Sequence, residues 1–193
     1  EPIQAEGGIH VASDDYLRAA RAICDQAGAL LLLDEVQTGY GRTGKFLARE
    51  WSGVVPDACA LAKAMGGGVP IGAMLVSERV AGALPPGTHG TTFGGNALAC
   101  AAGLAVLRIY DAEGLVENAS VQGERLAEGT ARLVTKHPDA ATGTRGKGLL
   151  QGLVLAPTVD PNRFIAACIE RGLLLSVVGG DCVRFVPALN VTA

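Results

Sequence analysis

Two segments of the chain end in residues whose chemistry is complementary. Ala29-Leu30-Leu31-Leu32-Leu33 is an unbroken apolar run that closes on Asp34-Glu35, and Pro56-Asp57-Ala58-Cys59-Ala60-Leu61-Ala62 closes on Lys63. Each is followed by turn formers, Thr38-Gly39-Tyr40-Gly41-Arg42-Thr43-Gly44 after the first and Gly66-Gly67-Gly68-Val69-Pro70 after the second. Short apolar runs bounded in this way read as buried strands of a parallel sheet. Ligands of open α/β sheets bind beyond the carboxyl ends of the strands, so Asp34 and Lys63 are expected to face one pocket.

A lysine amine forms covalent bonds with carbonyl carbon, and a carboxylate supports a cationic ring. Pyridoxal phosphate needs both. Taken singly, each residue also has a plainer reading, the Asp as a turn or cap former and the Lys as a solvated side chain. Ile71-Gly72-Ala73-Met74-Leu75-Val76 follows as another apolar strand, so Lys63 is expected in a connection between two buried strands. Burial there would favour the neutral, nucleophilic amine.

The supporting elements follow from the pattern. Glu1 to Gly8 reads as a loop leaving an upstream strand, and the chain as a piece of something longer. Ser13-Asp14-Asp15 caps a helix over about Tyr16 to Ala27, with Leu17, Ala20 and Ile23-Cys24 on its buried face and Gly28 ending it. Pro85 to Asn96 is a hydroxyl-bearing loop before the helix that starts at Ala97, a plausible phosphate site or an ordinary capped loop. That helix runs towards Asp111, and a second covers Leu115 to Lys136, closed by His137-Pro138. Short strands at Leu149 to Leu155, Leu173 to Val178 and Val183 to Val186 then surround a helix near Pro161 to Arg171. The expected division is 1–111, the end of a cofactor-binding domain, and 112–193, a small α+β domain incomplete at its end.

Net charge is -3 with mixed signs, which disfavours nucleic acid as a partner. No run is long enough to anchor in a membrane. The five cysteines are scattered without a C-x-x-C pair, as in reduced core thiols of a cytoplasmic protein, and the dispersed His10, His89 and His137 suggest no metal. Gly39 to Lys45 fits G-x-x-x-x-G-K, but Phe46 stands where a nucleotide-binding loop needs a hydroxyl for magnesium.

Four motifs together resemble the class III pyridoxal-phosphate aminotransferases: Glu1-Pro2-Ile3-Gln4-Ala5-Glu6-Gly7-Gly8, Leu33-Asp34-Glu35-Val36-Gln37-Thr38-Gly39 with Gly41-Arg42-Thr43-Gly44, Ala62-Lys63, and His89-Gly90-Thr91-Thr92-Phe93-Gly94-Gly95-Asn96. The resemblance covers essentially the whole chain and implies an α/β, aspartate-aminotransferase-like fold (fold type I). Within the family, Gly87 to Thr92 and Thr144-Arg145-Gly146-Lys147-Gly148-Leu149-Leu150 are most like members that move the ω-amino group of N-acetylornithine to 2-oxoglutarate. Succinylornithine, ornithine and 4-aminobutyrate are the other donors to weigh, beside a catalytically incomplete fragment.

The resemblance also assigns roles. Lys63 would hold the cofactor covalently and then carry the proton; Asp34 would pair with the pyridine nitrogen; Gln37, beside Val36, would contact the phenolic oxygen. Thr92, with Thr91, would reach the phosphate in a neighbouring subunit, so a homodimer is implied. Arg184 would grip a substrate carboxylate, and Glu6 would pair with it when the donor lacks one. The Ser176 to Gly180 segment is a candidate substrate loop with no motif behind it. Ala5 departs from the Gly usual in the family, which narrows backbone freedom near Glu6. The family's amino-terminal half and a final helix have no counterpart here, so apolar sheet edges are expected to be exposed.

Overall fold

The computed structural model describes residues 1–192. Ile3–Gln4 (β1) and His10–Val11 (β2) form a short antiparallel ribbon, so the opening segment is a hairpin and not a simple loop. The helix Asp14–Ala27 (α1) is capped by the Ser13 hydroxyl, which accepts from Tyr16 N, and ends at left-handed Gly28. Leu17 is its buried residue; Ile23 points to solvent, contrary to the expected face.

Leu32–Asp34 (β3), Ala58–Leu61 (β4) and Ala73–Val76 (β5) make a three-stranded sheet, β3 parallel to β4 and β5 antiparallel to it. Its strands are less buried than their composition suggests. Leu33 packs with Leu17 and Val54, but Leu32 is 61% exposed and Met74 53%. Period-two alternation puts successive residues on opposite faces, and only one face of β3 is covered among the described residues. An unbroken apolar run signals two covered faces, and that signal misleads here.

After Ser77, a single turn Glu78–Ala81 (α2) leads through the Pro85 to Asn96 loop into Ala97–Glu113 (α3), capped by the Asn96 side chain. Gly114, left-handed, joins α3 to Leu115–Lys136 (α4). Asp111 therefore lies within the last turn of α3. The remaining chain forms an antiparallel sheet ordered β6-β7-β9-β8, from Ala141–Lys147 (β6), Leu150–Leu155 (β7), Ser176–Val178 (β8) and Cys182–Phe185 (β9). The helix Pro161–Glu170 (α5) starts with Asp160 capping and Pro161 in the first turn. Strand β6 is missed by the sequence pattern, because Ala-Thr-Gly-Thr-Arg-Gly-Lys carries no apolar alternation.

The two sheets are joined by close backbone approach. The Gly148 position, at φ 56°, abuts the backbone of Thr43 and faces Gly123 of α4, where a Cβ on either glycine would collide with main chain. Arg42 crosses the same seam, donating to Pro187 O at 2.6 Å and Leu149 O at 3.2 Å, while Leu149 N donates back to Arg42 O. The Gly39 to Lys45 segment is thus a packing element, and Phe46 sits against Tyr40 and Tyr110 with ring centroids 5.1 and 6.3 Å away. No helix among the described residues is long and apolar enough to cross a membrane.

Candidate functional site

Asp34 ends β3, opposite Ala60 in the register, and Lys63 opens a 3-10 turn, Lys63–Gly66, just beyond β4. Parallel pairing therefore places Asp34 and Lys63 at the same end of the sheet. Asp34 Oδ1 accepts from Val36 N at 2.9 Å, which anchors the carboxylate within its turn. Lys63 is exposed, so the expected burial of its amine is not found; the connection it starts lies at the open end of the sheet. Its φ of 49° is left-handed, an unusual conformation for a residue with a Cβ.

Glu6 reaches the same place from the β1–β2 turn. Its Oε1 accepts from Arg184 Nη1 at 2.6 Å and from Gln37 Nε2 at 3.1 Å. These hydrogen bonds, Arg184 first and Gln37 second, hold the Glu6 carboxyl below the usual carboxylate range, and the charge of Lys63 acts in the same direction. Arg184, on β9, has its Nε donating to Ser176 Oγ at 3.2 Å from the directly opposite position on β8. Ser176 is thus a strand residue, not part of a loop, and its contact is with Arg184. Ala5 is fully buried with Ile3, Ile9, Leu150, Val178 and Cys182, so its methyl fills a small core behind Glu6.

Thr91 and Thr92 are exposed on the loop before α3. Thr91 lines an open cleft with Val69, Ile71 and Phe93, apart from the Glu6–Arg184 pair. The structure thus brings together Glu6, Gln37, Arg184 and, at the same rim, Asp34 and Lys63; it leaves the two threonines facing outward.

The sequence gives Glu35 no role beyond that of Asp34's neighbour. It is 1% exposed, and its carboxylate accepts from Ala48 N at 2.7 Å, Arg49 N at 2.9 Å and Thr38 Oγ1 at 2.9 Å. It ties the turn after β3 to the 3-10 helix Ala48–Trp51. The pattern Asp-Glu contains no signal for which carboxylate turns in; only the register on β4 decides it.

The donor set suits pyridoxal phosphate. An exposed amine, an anchored carboxylate and a side-chain amide share one rim, matching an aldehyde carbon, a basic ring nitrogen and a phenolic oxygen.

Residues 1–193 match the family described as aminotransferase class-III. The chain is 47% identical over 193 residues to an acetylornithine aminotransferase of Brucella melitensis, and 47% identical over 195 residues to one of Gloeobacter violaceus. Both alignments take in all of this chain but only 47% and 48% of those proteins, so the chain spans about half the length of the curated relatives it matches. Among solved structures, ornithine aminotransferase from Toxoplasma gondii superposes with a TM-score of 0.94 at 37% identity, covering 99% of this chain and 46% of that one. Acetylornithine aminotransferase from Elizabethkingia anophelis superposes at 0.92 and 37%, covering 99% and 48%.

Proposed function

This chain belongs to the class-III aminotransferases, and from that premise we propose that it forms part of a transaminase moving the ω-amino group of N-acetylornithine to 2-oxoglutarate. The observation that carries this reading is the Glu6–Arg184 pair, 2.6 Å long, on the rim that also bears Asp34 and Lys63. An arginine that can exchange an internal carboxylate for a substrate carboxylate lets one site take both a dicarboxylic acceptor and a donor lacking that group.

Pyridoxal 5′-phosphate, when bound, supplies an aldehyde carbon for the amino group and a ring that takes up an electron pair. Lys63 would hold it covalently and would carry the proton to and from the substrate's amine-bearing carbon. Asp34 would pair with the ring nitrogen and favour its protonated form; Gln37, beside Val36, would serve the phenolic oxygen. Thr91 and Thr92 are exposed on their loop, in keeping with service to the phosphate of a neighbouring subunit in a homodimer. The five cysteines are all free, which supports a cytoplasmic setting. We place the boundary of the cofactor domain near residue 111, with the small domain following.

Ornithine is the second donor to test, because ornithine aminotransferases are among the structures that superpose best. Glutamate release from 2-oxoglutarate should be measured with N-acetylornithine, succinylornithine, ornithine and 4-aminobutyrate in parallel. The acetylated donor is expected to give the highest kcat/KM. Arg184→Lys is expected to raise the KM for 2-oxoglutarate about tenfold, since an ammonium cannot make the bidentate contact. Faster turnover of ornithine would reassign the donor, and no transfer from any amine by the full-length protein that contains this chain would overturn the reading.

A further inference from the structure

The Glu6 side chain lies at the end of an unusual path. Gly8 has φ 118° and the following Ile9 has φ 56°, so two successive residues occupy conformations that L side chains avoid, the second of them β-branched. This reversal turns the chain sharply after Glu6 and sets Glu6 opposite Arg184. Ile9 is fully buried and packs over Gly152, and Gly179 N donates to Glu6 O at 3.1 Å. A Cβ at Gly179 would press on the Gly7 carbonyl at 2.5 Å, so the β8–β9 turn fits closely against the loop.

Among the described residues, Arg145 supplies the one long-range side-chain bond to that reversal. From β6, 137 residues away in sequence, its Nη1 donates to Gly8 O at 2.8 Å and lies 3.5 Å from His10 Nε2. Arg145 is half-buried against the loop, with its guanidinium 3.2 Å from where a Gly8 Cβ would stand. Among the described residues it makes no hydrogen bond or ion pair with Asp34, Lys63, Glu6 or Arg184. Its bond goes to the carbonyl at the strained joint.

We propose that Arg145 is a positioning residue for the Glu6–Arg184 pair: by holding the Gly8 carbonyl it keeps the Glu6 loop in its reversed form and so keeps Glu6 over Arg184. The proposal rests on the reading of Arg184 as the carboxylate grip. Without the Arg145 bond the strained joint relaxes, Glu6 spends less time on the guanidinium, and Arg184 stands open to an external dicarboxylate.

Two readouts on the intact chain test this without need of turnover. The first is the titration midpoint of the Glu6 carboxyl carbon by NMR, assigned by its disappearance in Glu6→Gln. The second is the Kd for glutarate, a dicarboxylate that has no keto group to react. In Arg145→Ala, the Glu6 midpoint is expected to rise towards the ordinary carboxylate range, and glutarate is expected to bind about threefold tighter or more, the scale of one weakened charge-assisted contact. Arg145→Lys, which retains a donor, should restore most of the wild-type midpoint. Should Arg145→Ala fail to fold, Arg145→Met keeps the aliphatic stem without a donor and is judged by the same results. A non-donor variant that folds yet leaves both the Glu6 midpoint and the glutarate affinity at wild-type values overturns the proposal. Glutarate binding that survives Arg184→Ala would instead defeat the carboxylate-grip reading, and the Glu6 midpoint would still decide the role of Arg145.

Discussion

Adjacent carboxylates with opposite tasks give a sharp test. Glu35→Ala removes the buried acceptor of three hydrogen bonds, those of Ala48 N, Arg49 N and Thr38 Oγ1. Bonds to a charged acceptor contribute about 1.5–3 kcal/mol each, and buried donors left unpaired cost about 1–3 kcal/mol. Water entering the cavity would recover part of this, so a loss of roughly 3–5 kcal/mol is expected, a large share of the ~5–15 kcal/mol typical of a domain. The assay is urea unfolding followed by fluorescence. The chain has a single tryptophan, and Trp51 lies in the 3-10 helix that Glu35 anchors, its Nε1 donating to Thr43 O at 3.2 Å. Glu35→Ala should shift the midpoint strongly and move the native emission. Asp34→Ala, whose carboxylate is exposed and bonds only locally to Val36 N, should leave the unfolding curve within about 1 kcal/mol of wild type. A small shift for Glu35→Ala, or a larger one for Asp34→Ala, would refute this division of labour.

Other outcomes follow from the same geometry. Asp57 accepts from Arg21 at 2.6 Å and from Leu31 N at 2.8 Å, and these bonds, Arg21's first, hold its carboxyl below the usual range. A depressed folded pKa adds stability above the unfolded value of about 3.9 and loses it as pH falls through the folded value. Asp57→Asn should therefore lower the Tm at neutral pH and flatten its fall in acid, read by calorimetry across pH. Burial pushes the Cys59 thiol up to about 11 and raises that of Cys182, whereas Cys100 is exposed. Alkylation at pH 8 should mark Cys100 quickly and reach Cys59 and Cys182 only after denaturant is added, with mass mapping as the check. Gly123→Ala would drive a methyl into the Gly148 backbone and should cost about 3 kcal/mol or more, measured by urea midpoint.

Much of the site was legible because strand ends and glycine turns punctuate the sequence clearly. Asp34 and Lys63 lie at strand ends as their apolar runs predict, and Ser13, Gly28, Asn96 and Gly114 mark helix limits by capping chemistry that is local. The pairing of Glu6 with Arg184 follows from family resemblance alone, and the bond from Gln37 to Glu6 is announced by nothing in the sequence. The pairing depends on a contact spanning 178 residues, and no periodicity encodes it. The exposure of Leu32 and Lys63 was misjudged for a related reason: burial depends on what covers a face, and a strand's own composition reports only what it is suited to. Strand β6 and the role of Arg145 escaped because a Gly- and charge-rich strand is defined by its partners, β7 in this case.

The central claim is that Lys63 and Asp34 organise one cofactor site. It is tested most directly by adding pyridoxal phosphate to the purified chain, reducing with borohydride and mapping the pyridoxylated lysine by mass spectrometry, in wild type and in Asp34→Ala. The account predicts label concentrated on Lys63 and strongly reduced in the variant. Label spread over surface lysines in both proteins, or none at Lys63, would contradict it.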